Sequence, residues 1–115
     1  MSNNVIVEKS YSFSLKIVKL YKYLNYEKKE FVLSKQILKS GTSIGANVVE
    51  GQAAISKRDF VSKNSIALKE TRETNYWLRL LKDSQYLLDE HNQLLNDCNE
   101  LNKILTSIVK TAQSK

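Results

Sequence analysis

Apolar residues recur at three- and four-residue spacing along four separate stretches of this 115-residue chain, and no proline interrupts any of them. That period places one apolar stripe on each of four helices. The first reading, over 12–24, rests on Phe13, Ile17, Leu20, Tyr21 and Leu24, with Asn25 as a left-handed stop and a polar link behind it. The second, over 31–51, follows Leu33, Ile37, Gly41, Ile44 and Val48 and ends on Gly51. The third, over 57–84, opens behind Ser56 as N-cap, with Asp59 in its first turn. One of its stripes carries Phe60, Ala67, Leu78 and Leu81; a second beside it carries Ile66, Trp77 and Leu80. The fourth, over 90–112, alternates Leu94, Cys98, Leu101, Leu105, Ile108 and Ala112 by four and three. Short links between such helices predict an all-α fold, an antiparallel up-down four-helix bundle in one domain.

All three glycines, Gly41, Gly45 and Gly51, fall inside the stretch SGTSIGANVVEG. Each costs a helix interior about 1 kcal/mol relative to alanine. The apolar phase nevertheless runs straight through Gly41 and Gly45, which argues against a hinge. With Ser40, Ser43 and Ala46 they thin the helix enough for another backbone to approach, from this bundle or from another subunit.

At the same residues a resemblance becomes visible. SGTSIGANVVEG, followed by DFVSKNSIALKETRETNYWLRLL, resembles the four-helix bundle proteins encoded in intervening sequences of bacterial 23S ribosomal RNA genes, over roughly 10–110. The resemblance implies a ring of five subunits and a non-enzymatic role. A related branch, the accessory variability determinant of diversity-generating retroelements, implies RNA and a reverse transcriptase as partners.

Chemistry-bearing residues are few. Glu70 and Glu73, three apart, lie in line with Ile66, Trp77 and Leu80. A di-iron bundle needs about four carboxylates and two histidines, and His91 is the one histidine, so no metal and no cofactor is expected. The glutamates are read as pairing with lysine or arginine, or as accepting hydrogen bonds from the polar stripe Ser40, Ser43, Asn47 and Glu50; two solvated faces are the alternative. Cys98 lies on the helical seam, as a core thiol does. Trp77 is read as core or interface. No phosphate-cradling glycine loop is present, and no catalytic set emerges.

The chain carries a net charge of +6, which suits an anionic partner, RNA or DNA first. Lys16, Lys19 and Lys22 stand near Tyr23 and Tyr26, Lys28 and Lys29 follow, and Lys35 and Lys39 are four apart. Lysines among tyrosines can grip phosphates and stack unpaired bases; a solvated face with tyrosines packed sideways is the alternative. One cysteine, no secretory pattern and no membrane-length apolar run make a cytoplasmic protein the expectation. The expected function is a non-enzymatic homo-oligomeric scaffold for nucleic acid; the alternative is a protein-binding module with incidental charge.

Overall fold

Four α-helices fill a computed structural model that describes residues 3–114: α1 (Asn3–Tyr26), α2 (Leu33–Gln52), α3 (Lys57–Asp83) and α4 (Asn92–Gln113), the last entered through a 3-10 turn at Asp89–His91. Their side-to-side contacts fix the directions. Ile17 of α1 meets Gly41 of α2, and Ser10 meets Gly45. Lys63 and Asn64 of α3 lie against Glu50 and Gly51, whereas Thr74 bonds Ser40. Lys9 pairs with Glu100 of α4, and Lys16 with Asp97. Numbers rise on one helix as they fall on the other in all three pairs, so α4 also runs against α3. The result is the antiparallel up-down bundle, 46 × 20 × 19 Å.

The expected stripes meet in one core. Phe13, Ile17, Leu20 and Leu24 of α1 face Ile37, Ile44 and Val48 of α2, Ala67, Leu78 and Leu81 of α3, and Leu94, Cys98, Leu101 and Leu105 of α4. Ile108 packs against this core partly buried.

Helix ends depart from the reading in instructive ways. α1 starts at Asn3, not Ser12, because Ile6 and Ser10 continue its buried stripe. Asn25 does not stop it: the amide donates to the Tyr21 carbonyl at 2.8 Å, and the left-handed residue is Lys29, at φ 55°. α2 begins at Leu33 rather than Phe31 because the Glu30 carboxylate accepts N–H bonds from Val32, Leu33 and Ser34 at 2.7–3.1 Å. Three donors that no helix carbonyl reaches are thereby satisfied from outside the helix.

Gly51 is not a left-handed terminator. It lies within α2 with an ordinary backbone, and a Cβ there would come 2.9 Å from the Asn64 amide nitrogen. Its missing side chain serves the α2–α3 contact. Ser56 does cap α3: its hydroxyl accepts from the Asp59 N–H at 3.0 Å. Ser56→Ala is expected to cost about 0.5–2 kcal/mol in urea melts; an unchanged midpoint would mean the bond is inert.

The second α3 stripe is not core. Ile66 and Leu80 are exposed and Trp77 is half-buried. Asn64, Thr71 and Thr74 are buried instead. The threonine hydroxyls donate to the carbonyls of Ala67 and Glu70, four residues back, at 2.8 and 2.7 Å. A hydroxyl satisfied by its own helix can be buried without an unmet donor.

Candidate nucleic-acid interface

The α1 lysines do not form one cluster. The Lys16 ammonium sits 2.8 Å from Asp97, whose carboxylate also accepts from Gln93 at 3.0 Å. Burial pushes the Asp97 carboxyl up, but bonds from Lys16 and Gln93 and the charges of Lys16 and Lys9 more than reverse it, leaving it below its ordinary range. Lys16 is therefore already neutralised. Lys19 lines a cleft of about 330 Å³ whose wall also holds Glu90, His91 and Asp97, so two carboxylates oppose its charge.

Lys22 and Lys29 have different company. With Tyr21, Asn25, Tyr26 and Phe31 they line a cleft of about 290 Å³ where α1 runs into its link. Tyr26 and Phe31 are 71% and 52% exposed, so both rings present apolar surface to solvent. Among the described residues, no carboxylate pairs with either lysine. Lys28, Lys35 and Lys39 are exposed. The structure thus brings together Lys22 and Lys29 with Tyr26 and Phe31 and puts Lys16 and Lys19 in a separate cleft with Tyr23.

His91 closes the turn that feeds α4. Its Nδ1 accepts from the Leu88 N–H at 2.9 Å, while the His91 backbone N–H donates to the Leu88 carbonyl at 2.9 Å. The ring lies against Tyr23, centroids 4.9 Å apart. Burial lowers its pKa; Glu90 opposes this and Lys19 assists it. A proton on Nδ1 would set two donors against each other. The unfolded chain therefore takes up that proton first as pH falls below about 6.5, and stability is lost downward from there. Urea midpoints should drop between about pH 7 and 5 in the native chain, and His91→Gln should flatten that slope. An equal slope in both would contradict the assignment.

The polar stripe on α2 splits. The Ser40 and Thr74 hydroxyls are hydrogen-bonded at 2.9 Å, with Ser40 donating because the Thr74 proton goes to the Glu70 carbonyl, which ties α2 to α3, and Glu50 pairs with Lys63 at 2.9 Å. Ser43 and Asn47 bond only back along α2, to the carbonyls of Lys39 and Ser43. Neither bonds Glu70 or Glu73 as expected. Glu73 accepts from the Trp77 indole at 3.3 Å, and among the described residues neither glutamate pairs with a lysine or arginine. The reason is reach: the short hydroxyl and amide side chains find a carbonyl on their own helix before they find the next one.

Gly41 and Gly45 resolve onto α1. A Cβ on Gly41 would lie 2.9 Å from both Cγ atoms of Ile17; one on Gly45 would lie 3.3 Å from the Ser10 carbonyl oxygen. The close approach is internal to the bundle. Cys98 is core, its thiol donating to the Thr71 carbonyl at 3.3 Å and pushed by burial up to about 12. No group of three His, Cys, Asp or Glu side chains among the described residues stands close enough to hold a metal ion, and no helix is long and apolar enough to cross a membrane. The sequence reading does not single out Lys69, Arg72, Arg79, Lys103 and Lys110, exposed cations on α3 and α4; the signal available was the seven-residue spacing of Arg72 from Arg79 and of Lys103 from Lys110.

A solved structure of a protein of unknown function from the S23 ribosomal protein family of Bacteroides thetaiotaomicron has the same fold: TM-score 0.92, 53% identity, 96% of this chain and 99% of that one covered. No curated protein matches the chain. The family model described as 23S rRNA-intervening sequence protein matches residues 2–107, nearly the whole length, and the chain belongs to that family.

Proposed function

We propose that this protein is a non-enzymatic, homo-oligomeric bundle, a ring of five subunits by family resemblance, that holds RNA or DNA through a basic surface. The observation that carries the reading is the cleft in which Lys22 and Lys29, free of carboxylate partners among the described residues, stand beside Tyr26 and Phe31. Ammonium groups attract phosphates and flat rings accept unpaired bases with little sequence choice. Self-association is supported by Tyr11 and Leu15, four apart on α1, which are 65% and 56% exposed. The test is a fluorescence-anisotropy titration with RNA across salt. Phosphate-driven binding weakens steeply as salt rises. No binding at low salt would remove the reading and favour a protein partner, such as a reverse transcriptase, for which the exposed Ile66 and Leu80 on α3 are the supporting surface.

A further inference from the structure

Every arginine of the chain, Arg58, Arg72 and Arg79, stands on α3. Arg72 and Arg79 are two turns apart and share a flank with Asn75, three residues from one and four from the other. The Asn75 amide donates to Asn99 of α4 at 3.3 Å, so this flank faces α4. There Lys103 and Lys110 lie on the matching side and line an open groove of about 650 Å³, with Asn99, Asn102, Thr106 and Ser107. Its lining is cationic or neutral throughout.

Four carboxylates of the two helices lie elsewhere, and Asp83, four residues beyond Arg79 at the end of α3, is the acid on this flank. Asp97 and Glu100 are turned to α1, where Lys16 and Lys9 hold them. Glu73 is turned to Trp77, and Glu70 precedes Thr74, which reaches α2. The α1 lysines thus draw the acids of α4 away from the α3 side. Among the described residues no ion pair involves Arg72, Arg79, Lys103 or Lys110.

Register spaces the four cations along the bundle axis. Thr71 sits level with Cys98, and the helices are antiparallel. Arg79 therefore lies on one side of that level and Lys110 on the other, about 30 Å apart at ~1.5 Å per residue. That is the span of roughly nine stacked nucleotides at ~3.4 Å each. Tyr76, between the arginines, is 52% exposed and meets the Trp77 ring edge-on at 5.2 Å, which holds it as a stacking platform.

We infer that the flank shared by α3 and α4 is a track for single-stranded nucleic acid, with Arg72, Arg79, Lys103 and Lys110 on phosphates about three nucleotides apart and Tyr76 under an unpaired base. The inference rests on the nucleic-acid reading above and assigns it a second surface, apart from the Lys22–Lys29 cleft. A single strand fits better than a duplex because a duplex offers no free base to Tyr76.

The test is anisotropy with ~20-nucleotide single-stranded RNA, the same sequence as DNA, and the RNA duplex. Arg72→Glu/Arg79→Glu and Lys103→Glu/Lys110→Glu should each weaken single-strand binding about tenfold or more and lower the salt slope by about 1 per lost phosphate contact. Tyr76→Ala should weaken single strands about tenfold and leave the duplex unchanged. Arg72→Gln/Arg79→Gln, with its melting curve, separates lost contact from lost folding. If these variants bind as the native chain does while Lys22→Glu/Lys29→Glu loses binding, the track is wrong and the nucleic-acid reading stands. If the native chain binds nothing at low salt, both fall. A duplex bound as tightly as a single strand, with Tyr76→Ala silent, would overturn the single-strand assignment.

Discussion

Gly45→Leu is expected to destabilise the bundle by about 3 kcal/mol, at the upper end of what overpacking costs. A leucine there must displace the Ser10 carbonyl, and a Cβ alone already comes within 3.3 Å of it. Backbone cannot rotate away as a side chain can, so α1 and α2 would have to separate. At ~4 °C per kcal/mol the melting temperature should fall by roughly 12 °C. Ala46→Leu, next along α2 but exposed, should change stability by less than about 0.5 kcal/mol. Equal melting of the two variants would contradict the close approach. Gly41→Ala probes the same seam through Ile17, whose two Cγ atoms are fixed at the branch point. Its cost should shrink in the Gly41→Ala/Ile17→Ala pair relative to the sum of the singles.

The second large effect is expected in binding. If chains at +6 assemble as the proposed ring of five, one particle carries about +30 and repeats each cationic surface around the axis. A single subunit should hold nucleic acid only weakly, at about 10⁻⁴–10⁻⁶ M near physiological salt. Strands long enough to bridge subunits should bind about 10²-fold or more tighter than strands confined to one. Lys22→Glu with Lys28→Glu and Lys29→Glu should weaken both. Lys16→Glu is a poorer probe, because it sets a new carboxylate against Asp97 and so strains the α1–α4 contact. Affinity that is independent of strand length would contradict repeated contacts.

Much of the bundle was legible because its signals are local. The α4 seam from Leu94 to Ile108 and the Ser56 cap depend on neighbours three or four residues away, and both stand as read. What escaped was burial of polar groups. Ser10 is fully buried, with its hydroxyl on the Val7 carbonyl at 3.2 Å, so the apolar pattern alone starts the α1 stripe too late. Asn64, Thr71 and Thr74 hid the true core face of α3, and Ile66 and Leu80 suggested a false one. The basic surface was legible in amount and not in place. Lys16 and Asp97 are far apart in sequence, and only the bundle sets them 2.8 Å from each other. The Lys22–Lys29 grouping was readable because a helix end and its link bring those residues together without help from the other helices.

Native mass spectrometry of the protein with a ~40-nucleotide single-stranded RNA, long enough to bridge subunits, tests the account most directly, because it counts chains and strands in the same particle. The account predicts a species of five chains carrying one RNA, which loses its RNA as salt rises. A single chain with or without RNA, or a ring that stays free of RNA at low salt, would contradict it.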